Sequence, residues 1–125
     1  MASFSSYTIE IASDSQYIEN SIKSSPGAVL TPKTIVLSMV EEAGFDPKVA
    51  NATIQAESGW NPLAVGDGGE SLGLWQIHQP AHPIGRDCAF DPVCSTEYAI
   101  KLLQSKRSWN HWSAYRHLFG VYTTP

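Results

Sequence analysis

The sequence predicts a single, mainly α-helical domain, and three observations favour this fold class. Its 125 residues suit one domain of ordinary size. A capping residue followed by proline, which is a helix-start signal, occurs at positions 31–32, 46–47 and 91–92. Apolar residues three or four apart, the spacing of one helix face, follow each signal. No segment repeats with a period of about 20–50 residues, which excludes a solenoid.

Four helices are predicted in order along the domain. The first covers residues 32–43 and ends at Gly44, because glycine commonly follows a helix C-terminus. The second covers residues 47–58, the third runs from 92 to about 105, and the fourth covers 108–119. The apolar positions at helical spacing are Ile35, Val36, Met39, Val40 and Ala43, then Val49, Ala50, Thr53 and Ile54, then Ala99, Ile100, Leu102 and Leu103.

Two segments depart from this helical pattern. Residues 1–30 are rich in serine and end in a linker signal, which predicts an N-terminal extension, with a short helix over about 14–24, ahead of a domain of residues 31–125. The first residues lack the charged start and apolar stretch of a secretory signal, so either that export route is not used or a signal has been trimmed. Residues 61–91 are rich in Gly, Pro, Asp and His and hold one apolar island at 72–77, which predicts a loop with at most a short strand or helical turn.

The charge balance and the apolar runs exclude two classes of partner. Lys and Arg number 8 against 12 Asp and Glu, and no basic cluster occurs, so the electrostatic footprint of a nucleic-acid-binding protein is missing. The longest apolar runs are far shorter than the roughly 20 residues that span a bilayer. We therefore expect no nucleic-acid partner and no membrane span, and we expect a monomer.

Two cysteines, Cys88 and Cys94, lie six residues apart and leave two interpretations open. A disulfide would close a short loop and favour a compartment outside the cytoplasm. Alternatively, both cysteines could join His78 and His82 as zinc ligands. That spacing matches no usual zinc module, and prolines near both histidines prevent their presentation on one helix. We therefore expect no metal and no cofactor.

Glu57 is the most informative residue, because the apolar face of the second helix, continued by one turn, reaches it. Its carboxyl group is thus expected to face the core from the last helical turn. Partial burial and the negative end of the helix dipole would both raise its pKa, which a general acid needs near neutral pH. The alternative is a solvated carboxylate or an ion pair with Arg86 or Arg107.

Residues 57–77 read ESGWNPLAVGDGGESLGLWQI. This segment resembles the signature of the soluble lytic transglycosylase (SLT) domain and its lysozyme-like relatives, in which a Glu-Ser opens the site and a Gly-Leu-x-Gln follows. The resemblance extends more weakly over about residues 32–119. It implies a small lysozyme-like helical domain with a substrate cleft for the glycan strands of peptidoglycan. It also implies action at the cell wall, by a secreted, periplasmic or phage-delivered protein such as an endolysin.

The resemblance also assigns site residues. It makes Glu57 the acid that cleaves the β-1,4 bond between N-acetylmuramic acid and N-acetylglucosamine. Tyr115 matches a late tyrosine of the family, although Arg116-His117-Leu118 replaces the Asn-Ala-Gly that usually follows it. The substrate-binding segment implied by the second motif comprises Gly73, Leu74, Trp75, Gln76 and Ile77, with Ser71 as a polar neighbour more suited to hydrogen bonding than to reaction.

A second carboxylate would decide between two reactions. Asp67 precedes Gly73 by six residues, as does an aspartate of goose-type lysozymes that helps to position water, and Glu70 is a further candidate. A second goose-type aspartate is replaced by His78. The incomplete hydrolytic pattern favours a lytic transglycosylase, which needs only the glutamate, with a hydrolytic lysozyme using Asp67 as the alternative. Asp67 could also be an ordinary turn residue.

The remaining alternatives concern tryptophans and other classes of protein. Trp75 could stack on a sugar ring or simply pack in the core, whereas Trp109 and Trp112, three apart on the fourth predicted helix, suit the core. Residues 69–73 match a Gly-x-Ser-x-Gly nucleophile motif, but the strand-turn-helix context of that motif is missing. A wall-binding module without catalysis, or a structural protein unrelated to glycans, remains open as a different class.

Overall fold

The computed structural model describes residues 30–120. This region is mostly helical with one small sheet, which confirms the predicted fold class. The predicted N-terminal extension and its helix over about 14–24 lie outside the described residues, apart from residue 30. The main helices are α1 (Pro32–Glu42), α2 (Pro47–Ser58), α3 (Arg86–Ala89), α4 (Pro92–Lys106) and α5 (Ser113–Tyr115), and a π-helical turn (Arg116–Gly120) continues from α5.

The three predicted start signals cap the three long helices. Thr31 and Thr34 form a reciprocal capping box at α1. Asp46 accepts a hydrogen bond from the Lys48 backbone at α2. Asp91 accepts one from the Cys94 backbone at α4. The boundaries of these helices could be read from sequence because each cap is satisfied within a few residues.

The core forms where α1 packs against α2 and α4. The predicted apolar faces of these helices supply it, and their central residues are fully or almost fully buried. The loop between α2 and α3 and the segment after α4 complete the core with aromatic residues. The buried hydrophobic residues of the main cluster are Val36, Val40, Ala50, Ile54, Leu74, Trp75, Ile77, Ala99, Leu103 and Trp112.

Three two-residue strands lie in the loop between α2 and α3. They are β1 (Val65–Gly66), β2 (Ser71–Leu72) and β3 (Ile77–His78), and they pair antiparallel in that order. The register places Gly66, Ser71 and His78 in one row across the sheet. A short 3₁₀ turn (Asp67–Gly69) joins β1 to β2. Residues directly opposite each other on paired strands have their side chains on the same side of the sheet, so the side chains of Ser71 and His78 lie on one face.

A disulfide bond joins Cys88 in α3 to Cys94 in α4, which resolves the alternatives left open by the sequence. With both thiols oxidised, the cysteines cannot serve as zinc ligands. Within residues 30–120, no three metal-binding side chains gather into one group. Nor is any helix of that range long and apolar enough to cross a membrane.

The fourth predicted helix is wrong over its first turn. Residues 108–112 are not helical, and the helix begins at Ser113 rather than Ser108. Trp112 has an extended backbone there, and its indole nitrogen donates a hydrogen bond to the Trp75 carbonyl oxygen at 2.9 Å. A helix starting at Ser108 would give Trp112 a helical backbone in place of this extended one. Trp112 is therefore a buried core residue and Trp109 is a partly buried one that packs against the core, and both lie ahead of the helix.

A tryptophan cluster connects the loop to the C-terminal segment. The Trp75 ring lies 5.2 Å from the Trp112 ring and 6.4 Å from the Trp109 ring, measured between centroids. Its indole nitrogen donates to the Thr96 hydroxyl of α4 at 2.9 Å. Buried tryptophans with satisfied N–H groups contribute large apolar area and fixed geometry. The cluster thereby holds the segment after α4 against the loop.

A second link between these parts is a histidine pair. His82 Nε2 lies 3.2 Å from His111 Nε2, and His82 Nδ1 lies 2.7 Å from the Tyr98 hydroxyl. Partial burial lowers the pKa of His111, and electrostatic interactions with His82 and Lys106 lower it further. The folded protein therefore disfavours the imidazolium form of His111.

This pair predicts a loss of stability in acid. The unfolded chain binds a proton at His111 more readily than the folded protein does. The neutral ring therefore contributes fully to folding stability above the ordinary pKa of 6.5. That contribution is lost as pH falls through the lower pKa of the folded state. We expect the melting temperature of the wild type to fall faster than that of His111→Gln between about pH 7 and 5. Calorimetry across this pH range measures the melting temperatures, and a His117→Gln variant, changed at an exposed histidine, is the control. Parallel curves for wild type and His111→Gln would contradict it.

Candidate active site

Glu57 lies in the last turn of α2 and is partly buried. Its Oε2 accepts a hydrogen bond from the backbone N–H of Ala114 at 3.2 Å, across 57 residues of sequence. Among residues 30–120, its carboxylate forms no ion pair with Arg86 or Arg107. The helix therefore directs this carboxyl group toward the C-terminal segment, away from both predicted arginine partners.

The surroundings of Glu57 favour its protonated form. Burial is the largest cause that raises its pKa, and the negative charge of Asp67 raises it further. The Ala114 hydrogen bond and the positive charge of Arg116 act in the opposite direction, yet the pKa remains above its ordinary value. Such a carboxyl group retains a proton to a higher pH than a solvated glutamate does, as a general acid must.

Asp67 begins the turn after β1, close enough for its charge to act on Glu57. The backbone of Asp67 has φ 51°, in the left-handed region that non-glycine residues adopt at a cost. Its Oδ2 accepts a hydrogen bond from the Ser71 hydroxyl at 2.5 Å. Glu70, the other predicted carboxylate, lies close to His78 instead, with 3.8 Å between Glu70 Oε1 and His78 Nε2.

The second motif is largely buried, and this corrects one prediction. Leu74, Trp75 and Ile77 are at most 3% exposed, so their side chains belong to the core. The alternative in which Trp75 stacks on a sugar ring is therefore wrong, because no face of its indole is accessible. A Cβ at Gly73 would collide with the backbone carbonyl of Ala89. Gly73 is thus required for packing against α3.

Gln76 uses its amide group within the protein. Its Nε2 donates to the carbonyl oxygens of Ala64 and Gly73, at 3.2 and 3.0 Å. A Cβ at Gly66 would collide with Gln76 Oε1, so the amide lies against the backbone of β1. The side chain therefore stabilises the turn between β2 and β3, and it leaves no amide proton for a substrate without rearrangement.

Tyr115 lies one residue beyond the backbone N–H that reaches Glu57. Its ring stacks on Trp109, with 6.3 Å between centroids, and lies 5.3 Å from the ring of Phe119. Within the described part of the chain, the Tyr115 hydroxyl donates no hydrogen bond to Glu57. The link between this segment and Glu57 is therefore the backbone N–H of Ala114, the residue before Tyr115.

Two contributors to the site were missed by sequence reasoning. They are the backbone N–H of Ala114 and the charge of Arg116, both in the C-terminal segment. A backbone N–H carries no sequence signal. Arg116 replaces an asparagine of the resembled motif, and that departure was the one available hint that a charge lies near the acid.

Fold and site together define a small helical domain in which a partly buried glutamic acid lies in the last turn of one helix, within electrostatic reach of the turn between two strands of a small sheet. Residues 37–114, more than half of the chain, match the family model described as a lysozyme-like domain. The chain belongs to this lysozyme-like (SLT) domain family. No curated protein and no solved structure gives a significant match. The family supports a glycosidase-type function directed at peptidoglycan.

Proposed function

We propose that this protein cleaves the β-1,4 bond between N-acetylmuramic acid and N-acetylglucosamine in peptidoglycan, with Glu57 as its acid and base. The observation that carries the proposal is a partly buried carboxyl group of raised pKa, placed at the helix end where the family motif begins. Action on peptidoglycan implies a location outside the cytoplasm, and the Cys88–Cys94 disulfide is consistent with such a compartment.

The preferred reaction is non-hydrolytic. Protonated Glu57 gives its proton to the bridging oxygen as the bond from that oxygen to the muramic C1 breaks. The oxygen of the substrate's own N-acetyl group stabilises the positive charge at C1, so no protein nucleophile is needed. The Glu57 carboxylate then removes the proton of the muramic 6-hydroxyl, whose oxygen bonds to C1. A 1,6-anhydro ring forms, and Glu57 recovers its proton.

Hydrolysis is the second candidate, and the position of Asp67 favours it. The Asp67 carboxylate acts on Glu57 and is held by a hydrogen bond, as a group that orients water would be. Mass spectrometry of fragments released from purified peptidoglycan separates the two reactions. Fragments with 1,6-anhydro ends are expected. Fragments that have gained one water would instead support the lysozyme reaction.

The charges around Glu57 predict opposite shifts in the pH profile. Activity requires protonated Glu57, so it falls as pH rises through the pKa of that group. Asp67→Asn removes a charge that raises the pKa of Glu57. The alkaline limb of the pH–activity profile of this variant should therefore move to lower pH. Arg116→Gln removes a charge that lowers the same pKa, and the alkaline limb of its profile should move to higher pH.

The measurement is kcat/KM against pH on solubilised peptidoglycan, at constant low ionic strength because salt screens these charges. Lys101→Gln is the control, since Lys101 is exposed on α4 and is not among the charges that shift the pKa of Glu57. Shifts of the same sign in both variants would show that the limb does not report Glu57.

A further inference from the structure

A chain of hydrogen bonds runs from Asp67 through Ser71 to His78. Ser71 Oγ lies 2.5 Å from Asp67 Oδ2 and 3.2 Å from His78 Nδ1. An ionised carboxylate only accepts hydrogen bonds, so the single hydroxyl proton of Ser71 goes to Asp67. The Ser71 oxygen must then accept from His78, which places a proton on Nδ1. The direction of the whole chain is therefore fixed.

The backbone conformation brings the three residues of this hydrogen-bond network together. The sheet register sets Ser71 directly opposite His78, with Gly66 on the far side of Ser71 in the same row. Ser71 is only 2% exposed, so its hydroxyl is shielded from competing water. Asp67 follows Gly66 in a left-handed backbone conformation, which aspartate tolerates better than most residues. The strand register and the buried Ser71 hydroxyl together hold Oδ2 of Asp67 in place.

We propose that Ser71 and His78 are positioning residues that hold the Asp67 carboxylate beside Glu57 for the glycosidic reaction. This inference rests on the proposed function. With Oδ2 fixed by Ser71, the other Asp67 oxygen accepts no hydrogen bond from any described residue. Its negative charge remains available to keep Glu57 protonated and to stabilise the positive charge that develops at the sugar C1.

The proposal gives His78 a function in place of the absent second aspartate. His78 contributes no negative charge to the reaction, and it acts through Ser71 on the one aspartate that is present. Its outer nitrogen, Nε2, lies 3.8 Å from Oε1 of Glu70, which is beyond hydrogen-bond distance, so Ser71 remains the hydrogen-bond partner of the ring. Glu57 itself is faced by Asp67 and by Arg116 from the C-terminal segment.

The test compares Ser71→Ala, His78→Ala, His78→Asn and His78→Gln with wild type and Asp67→Asn. Asparagine places an amide N–H near the position of Nδ1, whereas glutamine places one near Nε2, so only the first can donate to Ser71. Thermal unfolding and a pull-down by purified sacculi verify folding and binding. His117→Asn, exposed in the C-terminal turn, is the control.

We expect Ser71→Ala, His78→Ala and His78→Gln to lower kcat by about 10- to 100-fold with little change in KM, as for a misplaced reacting group. Their alkaline limbs should move to lower pH, in the direction of the Asp67→Asn limb, and His78→Asn should restore most of both properties. A purely structural function would lower thermal stability without moving the limb.

Wild-type kcat and pH profile in His78→Ala would overturn the inference, and so would an Asp67→Asn variant with full activity. A wild-type protein that cleaves no peptidoglycan would instead refute the proposed function. Titration of the Glu57 carboxyl carbon by NMR remains informative in that case, because it reports the pKa of Glu57 without catalysis. An unchanged Glu57 pKa in His78→Ala would again reject the positioning of Asp67.

Discussion

Glu57→Gln is expected to abolish the clearing of purified peptidoglycan while leaving the pull-down of the protein by sacculi intact. Glutamine keeps the shape and can still accept the Ala114 hydrogen bond, but it has no proton to give to the bridging oxygen. General acid catalysis is worth about 10²–10⁴-fold, and here the same group also acts as the base. Turbidity and product release measure the loss.

Unfolding cannot account for such a loss. The raised pKa of Glu57 means that its ionised form is less favourable in the folded state than in the unfolded chain, so an uncharged replacement should not destabilise the protein at neutral pH. Glu41→Gln, an exposed carboxylate on α1, is the matched control and should remain active. Full clearing by Glu57→Gln would reject the enzymatic assignment. Binding without clearing by the wild type would favour a wall-binding module.

Gly73→Ala is expected to cause the largest loss of stability. Gly73 has φ 83°, and an added Cβ would collide with the backbone carbonyl group of Ala89, the last residue of α3. Backbone strain and overpacking together should cost about 3 kcal/mol or more. For a domain of this size, the melting temperature should fall by roughly 10–20 °C.

Gly68→Ala separates strain from collision. Gly68 has φ 66°, also in the left-handed region, but nothing lies within 4 Å of an added Cβ. Its substitution should cost only about 1–2 kcal/mol. Thermal unfolding of both variants by circular dichroism makes the comparison. Equal losses would show that Gly73 is required only for its backbone conformation, and that the collision is relieved by movement of α3.

Local signals made the long helices predictable. The capping residues and prolines at 31–32, 46–47 and 91–92 define helix starts through contacts within one turn of the chain. The position of Glu57 followed from the same periodicity, because a helix face continues in a fixed direction. The prediction of the fourth helix failed at its first turn. There the indole of Trp112 is held by the carbonyl oxygen of Trp75, 37 residues earlier, and this contact overrides the local helix preference.

The site shows the same division. Residue types and spacing were sufficient to single out Glu57, Asp67 and Ser71, but they could not separate a buried tryptophan from one that binds sugar. Trp75 is fully buried because α4 and the C-terminal segment cover it. The inference that His78 acts on Asp67 likewise depends on strand register, which is set by backbone pairing between strands too short to be recognised in the sequence.

The sequence by itself determined the helical class, the helix starts and the acidic residue, since periodicity and capping act over a few residues. Tertiary structure decided which side chains surround that acid, which charges act on its pKa and where the last helix begins. These properties arise from burial and from contacts as far apart as Glu57 and Ala114. Such contacts form only when the core has assembled, because the gain from packing tryptophans must first offset the entropy of closing the intervening chain.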